Sequence, residues 1–390
     1  MLIVSSGAWR APCGSVVSGW LFLLCPPTSS APSAPPAFLT FQSMVSNINP
    51  KIAAQIAQLS THKHQKLIQR ALDAILRMSE EELERLDWKI LSSSLEDLEK
   101  GFTTFFPYRH IRKISIFGSA RIAPDTPEYK MAVQFARRIT ALGFMVITGA
   151  GGGIMAAGNE GAGADRSFGL NIQLPFEQNS NNFINDDPKL IKFKYFFTRK
   201  LFFLRESDAI ALFPGGFGTQ DEAFETLTLC QTGKYGPAPL VLIDRPGGDY
   251  WHTWNNYICH HLVTRGLVSI DDPSLYTVTD DINVACQTIC NFYRVYHSSR
   301  YVKEQFIIRT KCELSDSTVE KLNTEFQDIV TSGIITKTQA LPEEQDDSIE
   351  DLPRLVFYFN QKNWGRLYQM IEMINQSGTI PQEQEHPEIK

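Results

Sequence analysis

Several function classes are excluded by what the sequence lacks. No stretch approaches the roughly 20 apolar residues that a membrane helix needs; the apolar segment Trp20–Cys25 is too short. The seven cysteines include no C-x-x-C pair, and an odd number cannot all pair with one another. Cys286 and Cys290 lie one helical turn apart, but no histidine or further cysteine completes a metal set. His252, His260 and His261 are not spaced as H-E-x-x-H. The P-loop pattern G-x-x-x-x-G-K-[ST] is absent, and the turn Gly149–Gly153 misses the third glycine of G-x-G-x-x-G. A dinucleotide or triphosphate bound in the usual ways is therefore not expected, and neither a metal nor a cofactor is. The net charge of −6 gives no basic surface for a nucleic acid.

The 390 residues, 43% hydrophobic and 21% charged, suit one large domain with smaller additions. Residues 1–43 stand apart: they are rich in Ser, Pro, Ala and Gly and contain no Asp, Glu or Lys. They read as an upstream extension outside the fold, or a misplaced start before Met44. The odd cysteine count and the ordinary composition of the remainder point to buried thiols in the cytoplasm.

Residues 44–110 carry apolar positions at helical spacing, such as Leu67, Ala71, Leu72, Ile75 and Leu76, and predict two to four helices. Ser79 and Glu82 have the spacing of a capping box. Across 111–298, short apolar runs alternate with helical segments. Strands are expected at Ile114–Phe117, Phe144–Thr148, Phe168–Leu174, Ala209–Phe213 and Leu240–Asp244, with a short one near Tyr276. A long helix is expected from about Ile191 to Arg205. This alternation predicts an α/β fold with a doubly wound, Rossmann-like parallel sheet. Residues 299–380 read as a small α+β module in βαββα order, ferredoxin-like or ACT-like, and 381–390 as a tail.

Three glycine turns follow strand ends: Gly118-Ser119, Gly149–Gly153 and Gly215–Thr219. In a doubly wound sheet such turns meet at one crevice. The third is the most informative. A strand, the turn Pro214-Gly-Gly-Phe-Gly218 and a helix start make an anion site, because glycines let backbone N–H groups approach and a helix N-terminus adds unpaired donors. A single phosphate bound by Gly215, Gly216, Gly218 and Thr219 fits that loop. Thr219 and Glu222 also fit a capping box, so the stretch alone leaves Glu222 open between a structural cap and a catalytic carboxylate.

The run Pro214–Glu222 resembles the PGGxGTxxE signature of the Lonely Guy family, whose members were long labelled lysine decarboxylases. The resemblance extends over roughly 111–293 and includes Gly118-Ser119, the turn 149–155 and Thr198-Arg199-Lys200. It implies a phosphoribohydrolase that splits nucleoside 5′-monophosphates, cytokinin nucleotides among them, into base and ribose 5-phosphate. It implies Glu222 and Arg199 as the catalytic pair, with Glu222 beside the ribose and Arg199 orienting Glu222 and the nucleotide. Gly118, Ser119, Gly151, Gly152, Gly153 and Met155 would line the ribose and base. Lys200 reads as a solvated charge, and Glu225 as solvated or structural. The flanking segments match larger bacterial relatives that act on ordinary purine or pyrimidine nucleotides, so AMP-like substrates are expected. The alternative is a non-hydrolytic nucleotide or molybdenum-cofactor carrier of the same fold. The expected partner besides the nucleotide is a second copy of the chain, as a homodimer or larger homo-oligomer, with no nucleic acid and no membrane.

Overall fold

The computed structural model describes residues 61–174, 179–344 and 349–378. The expectations for residues 1–43 and 381–390 lie outside the described residues. The described chain falls into two compact units that divide between Leu83 and Glu84. In the first, α1 (Gln65–Ser79) is amphipathic and buries no residue fully. The capping box expected at Ser79 does not form. Ser79 instead closes α1, its hydroxyl donating 2.6 Å to Leu76 O.

The second unit begins with α2 (Arg85–Phe105), whose Asp87 carboxylate accepts from the Glu84 N–H at 3.0 Å. Then β1 (Lys113–Phe117), α3 (Pro127–Ala141), β2 (Met145–Thr148), α4 (Ile154–Ala162) and β3 (Ser167–Ile172) alternate. They are followed by β4 (Leu190–Phe193), α5 (Phe196–Arg205), β5 (Ala209–Leu212), α6 (Phe217–Gln231), β6 (Leu240–Ile243), α7 (Tyr250–Tyr257), β7 (Tyr276–Thr279) and α8 (Ile282–Phe292). The expected helix 191–205 is thus shorter, and its first residues form the edge strand β4. Asp97 of α2 sets the break. Buried at 2% exposure, its carboxylate accepts from the N–H groups of Lys194 and Tyr195 and from the Thr198 hydroxyl. These donors would otherwise open the helix unpaired.

The seven strands are parallel throughout, in the order β4-β3-β2-β1-β5-β6-β7. The fold is α/β with a doubly wound sheet, as the alternation predicts. Its apolar strands are buried on both faces. One face packs Ile114, Ile116, Ala209, Ala211, Val241 and Ile243 against α3, α4 and α8. The other packs Phe117, Ile147, Ile210, Leu212 and Leu242 against α2, α5, α6 and α7. The chain winds outward from β1 in one direction and returns to its other side at β5, so the order reverses between β1 and β5. A crevice opens beyond the carboxyl ends of strands at such a point.

The remainder, among the described residues, is a four-stranded antiparallel sheet in the spatial order Thr336–Thr338, Arg354–Phe357, Gln305–Thr310 and Tyr296–Val302, with two α-helices. It is built from β8 (Tyr296–Val302), β9 (Gln305–Thr310), α9 (Asp316–Glu325), β10 (Thr336–Thr338), β11 (Arg354–Phe357) and α10 (Trp364–Ser377). The module has one strand more than expected. Tyr296–Val302 pairs with β9 as a hairpin, and a register shift between Tyr296 and Ser298 interrupts the alternation that would reveal it in sequence.

Candidate functional site

The three glycine turns meet through their backbones at the β1/β5 reversal. Ser119 N donates to Pro214 O at 3.0 Å, and Ser119 O accepts from Ile154 N at 3.0 Å. The glycines are needed for these approaches. A side-chain carbon on Gly118 would press on Ile154, one on Gly215 would come within 2.9 Å of Ser119 N, and one on Gly153 within 2.9 Å of Ala120 Cα. Gly153 also has φ +60, which a side chain would strain. The Ser119 hydroxyl turns back to accept from Arg121 N at 3.1 Å.

The β2 turn carries strain of its own. Ala150 is fully buried with φ +60, a conformation that must be held by its surroundings. Ala150 N donates to Thr148 Oγ1, and Ala150 O accepts from Asn181 N at 2.8 Å. Asn181 also donates to Gly151 O and Asn159 Oδ1, at 3.0 and 2.9 Å. Sequence reading passed over Asn181, because nothing in a polar loop marks the one residue whose amide returns to a distant turn. Met155 lies against this turn, where a carbon added to Gly149 or Gly151 would collide with it.

In the β5 turn, Gly216 and Gly218 have open space around them, and Gly216, Phe217 and Gly218 are exposed. Of the first N–H groups of α6, those of Thr219 and Gln220 donate to Gly216 O at 3.1 Å, while those of Phe217 and Gly218 precede any intrahelical acceptor. Tyr250 braces the loop from α7. Its hydroxyl donates to Gly215 O at 2.6 Å and accepts from Gln220 Nε2 at 2.6 Å.

Glu222 does not cap α6. The helix begins at Phe217 with Gly216 as its cap, three residues too early for Thr219 to serve. Thr219 is buried beneath Gly215. The Glu222 side chain is 12% exposed, and its Oε2 is buried without a hydrogen-bond partner. Burial pushes its carboxyl up to about 7, against the pull of Lys200 and Arg199.

Arg199, on α5, donates from Nε to Leu170 O at 2.7 Å and stacks 5.0 Å from the Phe203 ring. Its Nη2 lies at the turn, where a carbon on Gly149 would strike it. Burial lowers it to about 10, which leaves it charged at neutral pH. No ion pair joins Arg199 to Glu222 among the described residues. The cation that touches Glu222 is Lys200. Its Nζ lies 2.9 Å from Asp221 Oδ2, 3.4 Å from Glu222 Oε1, and against Glu225 Oε2. Lys200 is 16% exposed, so the solvated-charge reading does not hold.

Residues 152–289 match a family described as "Possible lysine decarboxylase". The match runs from the β2 turn into α8, taking in Arg199, Lys200 and Glu222 and leaving out Gly118 and Ser119. A search of curated proteins finds no match. Among solved structures, the chain is similar to the molybdenum cofactor carrier protein of Chlamydomonas reinhardtii, at 20% identity over 46% of this chain and 96% of that one, with a TM-score of 0.33. The molybdenum cofactor binding protein of Rippkaea orientalis matches at 17% identity over 46% and 96%, TM-score 0.33. DNA processing protein A of Helicobacter pylori, described as binding single-stranded DNA, matches at 14% identity over 47% and 82%, TM-score 0.33.

Among the described residues, no group of three or more His, Cys, Asp or Glu could hold a metal ion, and no helix is long and apolar enough to cross a membrane.

Proposed function

We propose that this chain hydrolyses the N-glycosidic bond of nucleoside 5′-monophosphates, AMP-like ones first and cytokinin nucleotides among the candidates. The observation that carries the reading is Glu222. It is a largely buried carboxylate with one oxygen unpartnered among the described residues, on the helix that opens from the β5 glycine turn at the sheet's reversal point. Buried polar atoms are rarely left unpaired without a reason. Oε2 is enclosed in this structure, and a ribose hydroxyl that reaches it on rotation of the side chain supplies one.

In the reaction, water adds to C1′ as the bond from C1′ to the base nitrogen breaks. The base leaves with a proton, and ribose 5-phosphate remains. Positive charge develops on the ribose, as in glycoside hydrolysis. The ionised Glu222 stabilises that charge, holds the sugar hydroxyls and orients the water. Arg199 keeps its proton and acts by charge and position; its guanidinium face at Gly149 suits the nucleotide. The substrate phosphate rests on Gly215, Gly216, Gly218 and Thr219, where the exposed N–H groups of Phe217 and Gly218 favour an anion. Gly118, Ser119, Gly151, Gly152, Gly153 and Met155 line the ribose and base.

Lysine decarboxylation is disfavoured by Lys200 itself. An imine-forming lysine must give up its proton. Burial works in that direction, but Glu225, Asp221 and Glu222 together outweigh it and hold the ammonium above its ordinary value.

The exposed apolar side chains of α5 and α6, Phe196, Phe197, Leu201, Phe217 and Phe224, support a homodimer or larger homo-oligomer. Five free cysteines among the described residues support a reducing, cytoplasmic setting. The test is release of free base and ribose 5-phosphate from a panel of nucleoside monophosphates. Binding without release moves the reading to a nucleotide or molybdenum-cofactor carrier.

A further inference from the structure

We infer that Lys200 is a positioning residue: its ammonium, shared among three carboxylates of α6, anchors Oε1 of Glu222 and so fixes the orientation and charge of that carboxylate. This rests on the reading of Glu222 as the carboxylate that faces the ribose.

The geometry sorts the three contacts. Lys200 approaches Asp221 and Glu225 closely, and Glu222 only at 3.4 Å. Asp221 is 61% exposed and Glu225 32%, while Glu222 is 12% exposed. An exposed ion pair contributes about 0–1 kcal/mol. The same cation acting on a buried carboxylate is far less screened. The consequence of Lys200 therefore falls mainly on Glu222, although its shortest contacts are elsewhere.

Arg199 cannot take over this anchoring as it stands. Its Nε is committed to Leu170 O, and among the described residues no ion pair links it to Glu222. The charged groups acting on Glu222 are Arg199 and Lys200 from α5, with Glu225 and the adjacent Asp221 on its own helix. Lys200 and Arg199 favour the ionised carboxylate; Glu225 opposes it. Glu225 lies one turn after Glu222 and also draws Lys200 away from it. Lys200 and Glu225 thus act as opposed weights on one group.

A purely structural clamp between α5 and α6 would make a different prediction. Replacing Lys200 or Glu225 would lower stability in both cases and leave the titration of Glu222 where it was. Opposed weights move that titration in opposite directions.

The test uses the full chain with Lys200→Met, Lys200→Arg and Glu225→Gln. Two readouts are taken: the pH profile of kcat/KM with AMP, and the carbon-13 titration of the Glu222 carboxyl, assigned by its loss in Glu222→Gln. Lys200→Met should raise the Glu222 midpoint and the acidic limb by roughly one pH unit. Glu225→Gln should lower both, and Lys200→Arg should stay near the parent. If Lys200→Met does not fold, the downward shift in Glu225→Gln and the retained midpoint in Lys200→Arg still decide. Unchanged midpoints, or shifts of the same sign in Lys200→Met and Glu225→Gln, overturn the inference. If the parent protein hydrolyses no nucleotide, the functional reading fails on its own and the carboxyl titration still judges Lys200.

Discussion

The ammonium of Lys200 stands 3.4 Å from Oε1 of Glu222, and Oε2 of the same carboxylate has no hydrogen-bond partner among the described residues. A carboxylate so placed costs stability to ionise. That cost is measurable separately from any catalysis.

Glu222→Gln should make the protein more stable at pH 8 while lowering turnover at least about 100-fold. The folded-state value of Glu222 is raised from 4.5 to about 7. Between those limits the native state binds more protons than the unfolded chain, so stability falls as pH rises. The penalty is absent below about 4.5 and complete above about 7. Its ceiling is roughly 3 kcal/mol, at 1.36 kcal/mol per pH unit. Denaturant unfolding should show a gain of about 1–3 kcal/mol at pH 8 and none near pH 4.5. An equal gain at both pH values would contradict the account of the shift.

The glycines of the three turns should separate into two classes. Gly216→Ala and Gly218→Ala have open space around the added carbon, so folding should be retained. Gly218→Ala should even gain up to about 1 kcal/mol, since it lies inside α6. Both should raise KM if the phosphate rests on this loop. Gly153→Ala meets backbone at φ +60 and should cost about 1–3 kcal/mol. Thermal melts beside substrate titrations distinguish the classes; a stable Gly216→Ala with unchanged KM would move the phosphate elsewhere.

The C-terminal module holds a buried ionic group. Glu344 joins Arg309 of β9 and Arg354 of β11, all three 6% exposed or less at the side chain. Glu344→Gln removes the carboxylate that Arg309 and Arg354 share and should destabilise by about 3–5 kcal/mol, because the buried Arg354 guanidinium then faces backbone carbonyls in place of an opposite charge. Calorimetry checks this, and a loss under about 1 kcal/mol would show the guanidinium groups rehydrating freely.

His297 should make the protein acid-sensitive. Burial, with Arg112, Lys311 and Arg309 nearby, lowers it from 6.5 to about 4. Between those values the unfolded chain binds the proton and the folded one does not, so this contribution to stability is lost as pH falls from about 6.5 to about 4. His297→Gln should flatten the acid side of a melting-temperature profile, and a profile of unchanged slope would count against it.

The sequence reveals the parallel sheet because its central strands are continuous apolar runs separated by glycine turns. It hides β4, since Leu190–Phe193 runs into an apolar helix and the boundary is drawn by Asp97, 97 residues from Lys194. Arg199 and Glu222 came to notice through the resemblance of Pro214–Glu222 to a family signature rather than from the residues alone. The role of Lys200 was not legible, because one lysine on an amphipathic helix looks solvated until a second helix brings three carboxylates to it. Thr219 and Glu222 misled in the opposite sense. Their capping spacing is real, but α6 starts at Phe217, ahead of the threonine, so no cap forms.

The central claim is that Glu222 serves a nucleoside monophosphate, and its most direct test compares the chain with Glu222→Gln on AMP. The account predicts stoichiometric release of adenine and ribose 5-phosphate by the parent, with a loss of at least about 100-fold in the variant, the lower range for a positioned acid–base group. Release by both proteins at similar rates, or binding of AMP by both without release, would contradict it.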